Sequence, residues 1–263
     1  MKNPGRTLSA AALAAVIAAP VLAEDLTVTF KTTGQGGGDT STQYYSSERM
    51  RSHDGNLDTL FEYASGTITS IDHGKKEYSE ITLAEIEEAM KAARAQMDEA
   101  MAQMESMPPA IRQRMEKMMG GAAGEVTVTK GGTREIAGYP TQEYVVTMGE
   151  STKMSYWNTT DVALPMPEAN LKQLAAFTGP MAAMAQNPMF KGFGQLAEKL
   201  KELEGFTLAS SSSISMMGRT HDSSREATAV KAGPIPAAEL DVAALAPGYK
   251  KVKSPLSEIG KKQ

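Results

Sequence analysis

The chain has three histidines, and each stands beside an aspartate: His53-Asp54, Asp72-His73 and His221-Asp222. An imidazole next to a carboxylate suits zinc or copper. Two of the pairs fall in alternate turns of one predicted strand meander, which brings them toward the same sheet edge. Their spacing matches no metal motif, however, and Asp-Gly type turn chemistry accounts for two of the pairs without an ion. Turn chemistry is therefore the expectation, and no metal ligand or cofactor is assigned.

The second chemically distinctive set is sulfur. Eighteen methionines against six phenylalanines and one tryptophan is an unusual way to fill a core. Ile86, Met90, Ala93, Met97, Met101, Met104 and Met107 recur at steps of three or four, which places one stripe on a single helical face. Such a stripe has three readings: ordinary core, an adaptable apolar surface for a ligand, or a cuprous copper contact through Met101 and Met104. Met90, Met97, Met101 and Met104 are taken as candidate ligand contacts, with Tyr139 and Trp157 on the rim of any cavity. Nucleophile signatures of the G-x-S-x-G, S-x-x-K and H-E-x-x-H kinds are missing, and there is no cysteine. A non-enzymatic protein is expected. Gly34-Gln35-Gly36-Gly37-Gly38 precedes a strand, so it reads as a bulge or link and not as a phosphate cradle.

Elements of two kinds must position these residues. From Leu26 to Thr82, period-two alternation broken by Gly34–Gly38, His53-Asp54-Gly55-Asn56, Ser65-Gly66 and Asp72-His73-Gly74 predicts an antiparallel meander, with one strand over Ser41–Ser52. At Thr82 the period changes. Thr82 and Glu85 have capping-box spacing, and the methionine stripe follows until Pro108-Pro109. A shorter helix over Ile111–Met119 completes the first helical block, at about 83–119. Strands resume over Glu125–Lys130, with Gly131-Gly132 as a turn, then Thr141–Met148 and Lys153–Thr160. A second helical block is expected at about 168–204, broken at Gly179-Pro180 and Asn187-Pro188, before a hairpin over Phe206–Met216 and Thr220–Lys231.

At the start, Lys2 and Arg6 precede an apolar run from Leu8 to Ala19, Pro20 breaks it, and Val21-Leu22-Ala23 sets a cleavage site between Ala23 and Glu24. The run is shorter than the ~20 residues that a spanning helix needs. Residues 1–23 thus read as a signal peptide and 24–263 as a single domain, soluble in the periplasm or secreted, with no transmembrane segment. Losing Lys2 and Arg6 takes the formal charge from −4 to −6, which argues against nucleic acid as a partner. The lysines of the tail, Lys250, Lys251, Lys253, Lys261 and Lys262, read as a solvated end.

Gly138-Tyr139-Pro140-Thr141-Gln142-Glu143-Tyr144-Val145-Val146, Tyr156-Trp157 and Leu164-Pro165 resemble the DUF4412 family of exported bacterial proteins, as do Met50-Arg51, Tyr78-Ser79-Glu80-Ile81 and Pro247-Gly248-Tyr249-Lys250. That family is similar in outline to periplasmic lipoprotein carriers of the LolA type. The resemblance implies an α+β fold: a curled antiparallel sheet, an open half-barrel, covered by the two helical blocks. It also implies an apolar small molecule or lipid held between sheet and helices. Two alternatives stand beside this reading: periplasmic copper or zinc handling through methionine and histidine, and a structural or interaction protein of the envelope with a protein partner and no ligand.

Overall fold

The structure is a computed structural model that describes residues 24–34, 40–105, 125–149, 151–167, 169–170, 191–216 and 219–258. Its first half is the predicted meander. Strands β1 (Leu26–Gly34), β2 (Thr40–Tyr45), β3 (Arg49–Asp54), β4 (Leu57–Glu62), β5 (Thr67–Asp72) and β6 (Glu77–Thr82) pair each with the next, all antiparallel. Alternation drives this: Leu26, Val28 and Phe30 are buried while Thr27 and Thr29 are only partly so. The second half comprises β7 (Val126–Ile136), β8 (Tyr139–Met148), β9 (Thr152–Thr159), β10 (Phe206–Met216) and β11 (Arg219–Ala232). These meander inward from the opposite edge, and β11 pairs with β1 at the centre. The final strand, β12 (Lys250–Lys253), adds in parallel outside β6, completing one twelve-stranded sheet. The sheet is open, with β12 at one end and β7 at the other.

The second half curls. Arg134 of β7 ion-pairs with Glu226 of β11 at 2.7 Å although three strands lie between them. In a flat sheet four strand steps would hold those strands roughly 19 Å apart.

This architecture overturns the expected α+β fold with two helical covers: the chain is mostly β. The described helices are α1 (Leu83–Glu105), α2 (Lys191–Leu200) and the four-residue α3 (Val242–Leu245), with short 3-10 turns at Ala237–Leu240 and Pro255–Glu258. Helix α1 abuts β6 and the Pro255–Glu258 turn, while α2 lies against β7, so the longer two sit at opposite ends of the sheet. The connections between strands, one of them carrying only the four-residue α3, supply the cover expected of helical blocks. Val162, Leu164 and Met166 pack on Phe30, Tyr45, Phe61 and their neighbours on one face. On the other face Val242, Leu245, Ala246 and Tyr249 pack on Leu60, Ile71 and Tyr78. No described helix is long and apolar enough to cross a membrane.

Local chemistry explains where strands stop. The expected single strand over Ser41–Ser52 is two strands, because the Ser46 hydroxyl accepts from the amides of Glu48 and Arg49 at 3.3 and 3.0 Å and folds the chain back. Gly131-Gly132 is not a turn. Strand β7 runs through it, and the register shifts between Lys130 and Thr133 as in a bulge. The capping box is present at α1. Thr82 N donates to Glu85 Oε2 at 2.8 Å, and Glu85 N donates to Thr82 Oγ1 at 3.2 Å. Residues 35–38 of the predicted glycine-rich link, the Ile111–Met119 helix and the Pro108-Pro109, Gly179-Pro180 and Asn187-Pro188 breaks lie outside the described residues.

Candidate functional site

Direct cross-strand partners share a face of a sheet, so the unbroken register from β2 to β6 assigns each side chain. His53 pairs with Asp58, Asp58 with Ile71, Arg51 with Leu60, and Tyr44 with Arg51. These residues lie on the face crossed by the segment from Ala237 to Tyr249, which links β11 at the sheet centre to β12 at its edge. At the middle of this strap-covered face is Asp58, whose side chain is fully buried.

The Asp58 carboxylate has four acceptor positions and all four are filled. Arg51 donates from Nε to Oδ1 and from Nη2 to Oδ2, each at 3.0 Å. His53 Nδ1 donates to Oδ1 at 2.8 Å and His73 Nε2 to Oδ2 at 2.7 Å. The other ring nitrogen of His73, Nδ1, lies 3.1 Å from the Tyr249 hydroxyl. Arg51 Nη1 reaches the backbone oxygen of Glu239 at 3.1 Å and also the Glu239 carboxylate. Burial alone would push the Asp58 carboxyl up, but the bonds from Arg51, His73 and His53 together hold it below the usual carboxylate range.

Two of the predicted histidine–aspartate turns therefore do converge, but on Asp58 and not on their sequence neighbours. One ligand atom from each of His53, Asp58 and His73 lies within 4.8 Å of the others, a spacing that fits a divalent ion. Arg51 weighs against that use. Its guanidinium already occupies one edge of the carboxylate, so an ion there would sit beside a fixed positive charge. As it stands the cluster is a completed ion-pair network that ties β3, β4 and the turn after β5 to Glu239 and Tyr249 of the strap.

The opposite face has a different grain. Register places three rows across β2 to β6. The first is apolar: Tyr45, Met50, Phe61, Ile68 and Ile81. Beside it runs a row of neutral polar groups: Gln43, Ser52, Thr59, Ser70 and Ser79. The third is mostly charged or polar: Ser41, Asp54, Leu57, Asp72 and Glu77. A groove of about 420 Å³ opens on this face, with Leu57, Ile68, Ile81, Val252 and Pro255 among its walls. Leu57 is 55% exposed there, a large apolar side chain left in water. Nearer the sheet centre lies a hollow of about 310 Å³, walled by Phe30, Gln43, Tyr45, Phe206 and Arg225.

No protein-family profile matches this chain, and no curated protein matches it in sequence. Solved structures share its outline distantly. The structure of PNGF-II superposes with a TM-score of 0.40 at 12% identity, over 88% of this chain and 31% of that one, so this chain spans about a third of its length. An uncharacterised conserved protein from Thermus thermophilus gives 0.42 at 6% identity, over 89% of this chain and 92% of that one. The MucA/MucB complex of Pseudomonas aeruginosa gives 0.37 at 10% identity, over 83% and 56%. Likenesses at that level assign neither a family nor an activity.

The residues singled out from sequence do not form one site. Tyr139 and Trp157 are half-buried against the central core, where the Arg134 guanidinium stacks 4.4 Å from the Trp157 ring centroid. Met90 is half-buried on α1, which adjoins β6 near the other end of the sheet. Met97, Met101 and Met104 continue that helix, but their side chains lie outside the described set, as does Ala23, while Glu24 is exposed. Sequence reasoning missed Asp58, Arg51 and Arg225. The first had a usable signal: a hairpin turning on Gly55-Asn56 puts His53 opposite Asp58. His221 is exposed on β11, away from the Asp58 cluster. Of the tail lysines, Lys250, Lys251 and Lys253 belong to β12, and Lys251 ion-pairs with Glu80. Lys261 and Lys262 lie outside the described residues.

Proposed function

We propose that this protein is an exported, non-enzymatic binding protein that holds the apolar part of an amphipathic molecule in the groove beside β4 to β6 and β12. The observation that carries the proposal is the groove of about 420 Å³, on a face whose rows grade from apolar through hydroxyl to charged. Its volume falls in the range of small-molecule sites, and its apolar walls meet the hydroxyls of Ser70 and Ser79 and the charged Asp72, Lys75 and Glu77. Export rests on the leader pattern of residues 1–23 and on the resemblance to exported DUF4412 proteins. The amphipathic guest rests on the grading of the rows, since a purely apolar molecule would leave Thr59, Ser70 and Ser79 unmatched.

Ser70 offers a direct test. It lies in β5, is exposed and lines the groove. Ser70→Trp fills the groove with a residue that strands tolerate. The purified protein is expected to release an amphiphile on solvent extraction, seen by mass spectrometry, and to take up a fluorescent fatty acid. Ser70→Trp is expected to weaken that uptake about ten-fold with little change in thermal midpoint. No extracted amphiphile and no uptake by the wild-type protein would end the proposal.

A protein partner in the envelope is the second reading. It is favoured by β7, eleven residues long, which ends the sheet among the described residues and presents an edge to which a strand can add. The bulge between Lys130 and Thr133 works against such addition along its middle.

A further inference from the structure

Arg225 of β11 stands on the same side as the apolar row. Its guanidinium lies 3.8 Å from the centroid of the Phe30 ring, and Nη2 donates to Ser41 Oγ at 3.2 Å. With the Gln43 amide oriented so that its nitrogen donates to the Tyr45 hydroxyl at 2.6 Å, its oxygen accepts from Nη2 and Nη1 at 3.1 and 3.3 Å. All these partners are neutral. Among the described residues Arg225 has no ion pair, and Asp54 acts on it only through space.

That arrangement is unusual for a half-buried cation. A guanidinium stays charged in proteins, and taking it out of water is costly unless an anion compensates. Elsewhere in this molecule the cost is met: Arg49 pairs with Glu62, Arg51 with Asp58 and Arg134 with Glu226. Arg225 instead faces open space. It walls the hollow of about 310 Å³ and an adjoining one of about 260 Å³ bounded also by Thr32, Met154, Tyr156 and Ser210. Phe30, Tyr45 and Phe206 supply apolar walls, and the Ser210 hydroxyl is one of the few neutral polar groups beside them. Nε–H and one Nη1 proton are left over, so an anion takes them singly, beside a guanidinium charge that no acid pairs with among the described residues.

The hollow and the groove lie along one row of the sheet. Gln43 walls the first, and Thr59, two strand steps or roughly 10 Å away, walls the second. We infer that Arg225 receives the acidic headgroup, a carboxylate or a phosphate, of the amphipathic guest whose apolar part occupies the groove. The inference rests on the reading of the groove given above.

The test compares a fluorescent fatty acid with the matched fatty alcohol on the full chain. Wild-type protein is expected to prefer the acid roughly ten-fold. Arg225→Gln should bind the acid as weakly as the alcohol, while Arg225→Lys keeps part of the preference. Ser70→Trp should weaken both probes alike. Equal wild-type affinities, or a preference that survives in Arg225→Gln, overturn the headgroup assignment and leave the groove reading standing. Binding of neither probe removes both. Inorganic phosphate serves as the control: if it binds alone as tightly as the fatty acid, the site is one for free anions and the inference fails.

Discussion

Replacing Asp58 by asparagine removes one charge from a closed network and changes almost nothing in volume. The two Arg51 atoms are obligate donors, so the amide nitrogen finds an acceptor only if His53 or His73 changes tautomer. Breaking a buried ion pair from one side costs about 3–5 kcal/mol. Arg51 retains the Glu239 carboxylate, which is 39% exposed, so the lower end applies, about 3 kcal/mol. With a urea slope of roughly 2–3 kcal/mol per molar, the unfolding midpoint should fall by about 1 M at pH 7. The difference should also depend on pH. The native carboxyl titrates below its unfolded value, so its stabilisation is full above about pH 4 and fades as pH drops through the native value. Urea titrations of wild type and Asp58→Asn should therefore converge in acid. A midpoint shift under about 0.3 M at pH 7, or a gap that persists at low pH, would refute the idea that this network pins the strap. The double variant Arg51→Met with Asp58→Leu is expected to regain much of the loss, since it leaves no buried charge unpaired.

Tyr63 is almost wholly buried and its hydroxyl finds no partner among the described residues. Tyr63→Phe should therefore be neutral or raise stability by up to about 1 kcal/mol, and a clear loss in the same urea assay would show a missed partner. Gly205 adopts φ +86°, and a methyl there would overlap the Thr159 carbonyl. Gly205→Ala is expected to cost about 2–4 kcal/mol in thermal or urea unfolding, and a cost below about 1 kcal/mol would contradict that backbone geometry. Thr82→Ala removes the threonine half of the α1 capping box and should cost about 1 kcal/mol, read as lost stability and lost helical signal in circular dichroism.

Much of the strand architecture was open to sequence reading because alternation and turn chemistry are local. Leu26-Thr27-Val28-Thr29-Phe30 and the Gly55-Asn56 and Ser65-Gly66 turns specify their elements within a few residues. What was misread is non-local. Ser46 looks like any strand serine until its hydroxyl is seen capping two nearby amides. Leu164-Pro165-Met166 reads as a terminator, yet it lies across a sheet face and does the covering assigned to helices. Parallel pairing of Lys250–Lys253 with β6 could not be inferred, since its partner is far away in sequence and lysine is an edge-strand residue of weak pattern. Nor does Arg225 look special among Ser223, Ser224 and Glu226. Only the fold shows that Phe30 lies beneath it and that, among the described residues, no acid pairs with it.

The position of β1 has a consequence for assembly. It is the first strand among the described residues and sits in the interior of the sheet, yet one of its two neighbours, β11, is near the other end. A nascent or truncated chain that stops before Arg219 holds six strands in register with a bare, apolar seam along Leu26, Val28 and Phe30. Such a seam is a template for strand exchange between copies. Late closure of this kind also slows folding, because long-range pairing must be waited for. A chain built this way gains from being kept unfolded until its last strands have emerged, and it should tolerate deletions at its C-terminal end far less well than the modest size of that end implies.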